Sequence, residues 1–91
     1  MNVRVLIADD EAPARRKLQR FLTHHRDIEL VAEASTGAEA VDLCAATEPH
    51  LIFLDIAMPE LDGLGVATSL ARADTPPVIV FVTAFDRYAV E

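Results

Sequence analysis

Ninety-one residues, 52% of them hydrophobic, make one small domain with a mean hydropathy of +0.24 and a net charge of −7. That charge argues against a surface that wraps nucleic acid, whose nonspecific affinity rests on Lys and Arg contacts to phosphate. No apolar run approaches the ~20 residues of a bilayer span, and Val3 to Ala8 is too short for a signal peptide, so a cytoplasmic location with no membrane partner is expected. The single cysteine, Cys44, excludes an internal disulfide or a cysteine-rich zinc site and reads as an inert packed thiol.

Strand and helix alternate along the chain. Val3–Ala8 is the first strand. A helix follows, with Pro13 in its first turn, where a missing N–H costs little. Its apolar stripe is Ala14, Leu18, Phe21 and Leu22. Arg15, Arg16, Lys17 and Arg20 read as a solvated face, or as part of a docking surface beside the acids that precede them. Ile28–Ala34 is a second strand, and its Glu29 and Glu33 suit an edge with a wet side. Thr36 and Glu39 form a capping box for a second helix that buries Val41, Cys44 and Ala45 and runs to about Ala46. Leu51–Leu54 is the third strand. Asp62 would cap a third helix carrying Leu64, Ala67, Leu70 and Ala71. Pro76-Pro77 opens the fourth strand, Val78–Val82, and Asp86 to Glu91 reads as the start of another helix.

This pattern predicts an α/β fold with a parallel, doubly wound, flavodoxin-like sheet of strand order 2-1-3-4. Such sheets bind ligands at the carboxyl ends of their strands. Asp9 and Asp10 follow the first strand, Asp55 the third and Thr83 the fourth, so the four are expected to converge. A hard, oxygen-seeking cation such as Mg²⁺ is the natural counter-charge for such a carboxylate cluster. His24, His25 and His50 have no ligand spacing to one another.

Four motifs carry a resemblance to a known family: Ile7-Ala8-Asp9-Asp10-Glu11, Phe53-Leu54-Asp55-Ile56-Ala57-Met58-Pro59, Asp62-Gly63 and Val82-Thr83-Ala84. In this order the chain resembles the receiver domain of two-component response regulators over its whole length, residues 1–91. The stretch Thr83 to Ala89 is most similar to the LytR/AlgR class, whose effector is a LytTR-type DNA-binding domain. The resemblance implies that Asp55 is the phospho-acceptor for a histidine kinase and Thr83 the switch residue. It implies Mg²⁺ held by Asp9, Asp10, Asp55 and the backbone carbonyl of Ala57. DNA would be reached only through the effector domain.

Against the family pattern, the chain ends at Glu91, before a fifth strand and fifth helix. A truncated receiver is therefore expected, lacking the lysine of the fifth strand and the effector, with an apolar fourth strand open to self-association as a homodimer. The competing function is an assembly module that takes no phosphate. Asp9 and Glu11 as plain loop acids and Thr83 as an ordinary strand-end residue are the simpler alternatives. A hydrolase with a nucleophilic Asp would want a second Asp where Ala57 stands, so an enzyme is not expected.

Overall fold

Val5 to Ala8 are almost fully buried, at 0–1% exposure, as an apolar run enclosed on both faces must be. They belong to β1 (Val3–Ala8), the second strand of a four-stranded parallel sheet. The computed structural model describes residues 2–56 and 63–82. In chain order the remaining elements are α1 (Ala12–Leu22), β2 (Ile28–Ala34), α2 (Gly37–Thr47), β3 (Leu51–Asp55), α3 (Gly63–Leu70) and β4 (Val78–Val82). The sheet order is β2-β1-β3-β4, as the strand–helix alternation predicts.

Two cores form on opposite faces of the sheet. On one, α2 and α3 bury Ala40, Cys44, Val66 and Leu70 against Leu6, Ala8, Ile52 and Leu54. On the other, α1 places Leu22 and Leu18 over Val5, Ile7 and Phe53. Several helix residues depart from their expected burial. Phe21 is 62% exposed and stacks edge-on to His25, with ring centroids 5.6 Å apart. In α2 the buried positions are Gly37, Ala40 and Cys44, whereas Ala45 is exposed. In α3 Val66 and Leu70, four apart, face the core, while Leu64 is 61% exposed and Ala71 lies exposed beyond the helix end. Short helices on a sheet bury a narrower stripe than the 3.6 periodicity allows, because only residues aimed at the sheet find partners. The Asp62 cap and the helix start at Asp86 lie outside the described residues.

The edge strand β2 contains a bulge. Val5 pairs with Leu30, but Leu6 pairs with Ala32, so Val31 is an extra residue. One extra residue inverts the side-chain alternation. Ile28 and Leu30 accordingly pack on the α1 face, and Ala32 and Ala34 on the α2 face. Glu33, partner of Ile7, is thereby brought to the α1 face.

At the N-terminal ends of the strands, His50 joins three of them. Its Nδ1 accepts the Arg4 N–H at 2.9 Å. Its own N–H donates to Arg4 O at 2.8 Å, and its carbonyl accepts the Val78 N–H at 2.9 Å. These bonds set the relative heights of β1, β3 and β4. The capping box holds in modified form. Thr36 Oγ1 accepts the Glu39 N–H at 3.1 Å, but Glu39 reaches back past Thr36 to the Ser35 N–H at 2.7 Å. The helix ends with Glu48 in the left-handed region, at φ 48° and ψ 62°, before the buried Pro49.

Candidate functional site

Ala8 pairs with Leu54, so Asp9, just after β1, and Asp55, the last residue of β3, stand side by side. Asp10 follows Asp9 in the β1–α1 loop. One carboxylate oxygen from each of Asp9, Asp10 and Asp55 lies within 4.8 Å of the others. This is the one such acidic group among the described residues. It stands at the carboxyl ends of parallel strands, where the order switches from β1 outward to β2 on one side and to β3 on the other.

The three carboxylates differ in setting. Asp9 is only 9% exposed. Its N–H donates to Ala34 O at 3.0 Å, and its Oδ1 accepts the Glu11 N–H at 2.9 Å. Asp9 is thus held by β2 on one side and by its own loop on the other. Asp55 is half-buried at the end of β3, and Asp10 is exposed. Three carboxylates at this separation repel one another. An oxygen-only donor set of this kind suits a hard divalent cation that takes carboxylates and waters.

The expected site residues therefore divide. Asp9, Asp10 and Asp55 come together. Ala57 and Thr83 lie outside the described residues. None of His24, His25 and His50 belongs to the acidic group, and His50 has the backbone role described above.

One neighbour was not legible as a site residue. Arg15, expected on a solvated helix face, turns inward at 20% side-chain exposure. Its guanidinium donates to the Asp9 carbonyl at 2.6 Å and lies 3.4 Å from Glu33 Oε1. Arg16, Lys17 and Arg20 are exposed, as expected. The available signal was the pair of acids, Glu33 and Asp9, on either side of the α1 start. The bulge at Val31 hid it, because strict alternation puts Glu33 on the opposite face.

Known proteins show the family. The family model for the response regulator receiver domain matches residues 5–91. The transcriptional regulatory protein BtsR of Escherichia coli is 43% identical over 89 residues, which cover 98% of this chain and 37% of that protein. The positive alginate biosynthesis regulatory protein of Pseudomonas aeruginosa is 44% identical over 90 residues, covering 96% of this chain and 36% of that protein. The chain thus spans little more than a third of the length of these curated relatives. Among solved structures, the response regulator domain of Thermotoga maritima CheB superposes with a TM-score of 0.87 at 30% identity, covering 92% of this chain and 62% of that one. With its acids gathered where β1 and β3 end and its sheet in the order 2-1-3-4, the chain belongs to the response regulator receiver domain family.

Proposed function

We propose that the chain is a phosphoacceptor module in which Asp55 takes a phosphoryl group from a histidine kinase. The observation that carries this reading is the approach of the Asp9, Asp10 and Asp55 carboxylates to within 4.8 Å at the ends of β1 and β3. The setting of Asp55 supports this reading. It is half-buried at the tip of a strand whose preceding residue, Leu54, is fully buried. A nucleophile on such a base is fixed in direction yet open to a donor.

The reaction forms one bond and breaks one. An Asp55 carboxylate oxygen bonds to phosphorus as the phosphorus–nitrogen bond to the kinase imidazole breaks. The electron pair stays with that nitrogen, which takes up a proton. The product is an acyl phosphate on Asp55. Asp9, Asp10, Asp55 and the Ala57 carbonyl are the residues that would hold Mg²⁺. When bound, Mg²⁺ supplies the positive charge that lets an anionic donor approach an anionic acceptor. Asp9, pinned by the Ala34 carbonyl and the Glu11 amide, keeps the wall of the pocket in place. Thr83 is proposed to turn its hydroxyl toward the new phosphoryl group and pass the change on.

In a longer protein the module would control a DNA-binding transcriptional effector, of LytTR type on the likeness of Thr83 to Ala89. Transcriptional regulators among the relatives support that assignment. Action in the cytoplasm agrees with the kinase partner, and no helix among the described residues is long and apolar enough to cross a membrane.

The test is binding of beryllofluoride, which mimics a phosphoryl group, read by ¹⁹F NMR with Mg²⁺ present. The wild type is expected to give a bound signal that Asp55→Asn loses. A bound signal that persists in Asp55→Asn would refute the assignment.

A second reading is self-association, which rests on β4. Val78 is 63% exposed and Phe81 40%, and among the described residues β4 pairs only with β3. Unpaired apolar strands of this kind recruit a second copy. A mass that stays monomeric as concentration rises would remove this reading.

A further inference from the structure

We propose that Arg15 is a positioning residue for the acidic pocket, held in place by Glu33 and by the β2 bulge that delivers Glu33 to it. The proposal rests on the metal-site reading above and names a residue that sets how well that site is formed.

The chain of contacts begins in β2. The extra residue Val31 inverts the alternation, so Glu33 stands beside Ile7 on the α1 face. There it meets Arg15 Nε at 3.4 Å. Bulges often re-aim a side chain next to a functional site. Arg15 sits in the first turns of α1, six residues beyond Asp9, and donates to the Asp9 carbonyl at 2.6 Å. That carbonyl belongs to the peptide plane joining Asp9 to Asp10. Peptide planarity means that fixing its oxygen also fixes the Asp10 nitrogen. The guanidinium thereby helps to set the direction in which Asp10 leaves the backbone. Asp9 is secured by the Ala34 carbonyl and the Glu11 amide as well. Asp10 is exposed and has the most to gain from a fixed peptide.

Arg15 supplies this bond with a charged donor, which is stronger than a neutral one. Its positive charge has an opposing effect. A cation near the pocket lowers the affinity for a second cation. Glu33 offsets that charge and keeps the fork aimed at the carbonyl. Positioning and charge therefore predict opposite signs for loss of Arg15, which makes the roles separable.

The experiment is Mg²⁺ titration by isothermal calorimetry of wild type, Arg15→Ala, Arg15→Lys and Glu33→Gln. Melting temperatures without metal are recorded alongside. Loss of a group that orients metal ligands typically costs about 10–100-fold in affinity. Arg15→Ala is expected to weaken Mg²⁺ binding by about that factor. Arg15→Lys, which keeps a charged donor, is expected to recover part of the loss. Glu33→Gln leaves Arg15 present and keeps the test open should Arg15→Ala fail to fold; because it also removes a negative charge, its weakening of binding is expected to persist at high salt, where a bare charge effect is screened. Unchanged or tighter binding in Arg15→Ala and Glu33→Gln, with a wild type that binds, would overturn the positioning role and leave the metal site intact. A wild type that binds no Mg²⁺ would overturn the metal-site reading and this proposal with it.

Discussion

Ala8 and Leu54 are register partners across β1 and β3, and this one pairing puts Asp9 and Asp55 at the same height. A shift of one residue would separate the two carboxylates by about 3.3 Å and turn one of them to the other face of the sheet. The acidic pocket is thus a product of sheet register rather than of local sequence. The register in turn rests on buried Leu6, Ile7, Ile52 and Leu54 and on the His50 bonds at the opposite end.

The first prediction concerns the charge this register concentrates. Asp10→Asn removes one of three mutually repelling carboxylates. The variant is expected to melt higher than wild type without metal and to lose most of the stabilisation by Mg²⁺. A ligand at 100 times its dissociation constant stabilises the native state by about 2.7 kcal/mol. Thermal unfolding with and without Mg²⁺ reads both effects. A wild-type melting temperature indifferent to millimolar Mg²⁺ would contradict the expectation.

His50 offers a test at the far end of the sheet. His50→Phe removes the acceptor for the Arg4 N–H while keeping a ring. The bond is exposed, and a hydrogen bond that water can replace contributes about 0.5–1.5 kcal/mol net. Urea unfolding is expected to show a loss in that range. Since His50 is remote from the acids, beryllofluoride binding is expected to survive.

The second helix makes a pH-dependent prediction. The Ser35 backbone N–H, and then the Ser35 hydroxyl, hold the Glu39 carboxyl below the ordinary carboxylate range. A depressed carboxyl stabilises the fold at pH above its unfolded value, and the benefit fades as pH falls through the lower folded value. Wild type is therefore expected to exceed Glu39→Ala in stability at neutral pH, with the gap closing as pH falls through the lowered folded value. A gap that is constant down to acid pH would show that Glu39 does not act through its charge. Thr36→Ala, which removes the cap itself, is expected to cost about 1 kcal/mol at any of these pH values.

Much of the fold was legible because buried parallel strands leave an unmistakable trace. Runs such as Val5 to Ala8 and Leu51 to Leu54 contain no polar residue at all, and Glu29 marked β2 correctly as an edge. Asp9, Asp10 and Asp55 were legible for the same reason, since each follows one of these runs. What escaped was set by tertiary contacts. The bulge at Val31 has no sequence signature here, neither Gly nor Pro, so Glu33 is legible as an exposed edge residue but its approach to Arg15 is not. Phe21 fits a helical stripe, yet it is 62% exposed and lines an open cleft between α1 and the sheet with Phe53 and Val82.

Glu48 predicts a substitution of unusual direction. It holds a left-handed conformation at φ 48°, where a side chain costs roughly 1–2 kcal/mol. Glu48→Gly relieves that cost at a helix end that glycine normally occupies. Stability is expected to rise or stay level, although most substitutions lower it. Chemical denaturation measures the change, and a clear loss would mean that the Glu48 side chain makes a contact of its own.

Cys44 carries the prediction for the core. Burial pushes its thiol above the ordinary range, so the neutral form is favoured in the fold. The sign follows from linkage. The stabilisation is complete below the unfolded thiol value and is lost as pH rises through the higher folded one. Alkylation by iodoacetamide at pH 8 is expected to be slow in the native protein and fast in denaturant. Equal rates in the two states would contradict a packed thiol.

The most direct measurement is the site of covalent phosphorylation. The protein is incubated with a small-molecule phosphodonor and Mg²⁺, trapped by borohydride reduction of the acyl phosphate, and mapped by peptide mass spectrometry. If Asp55 is the acceptor, the reduced residue is Asp55 alone, and labelling disappears in Asp55→Asn or when Mg²⁺ is chelated. Labelling at another residue, or label that persists undiminished in Asp55→Asn, would contradict it.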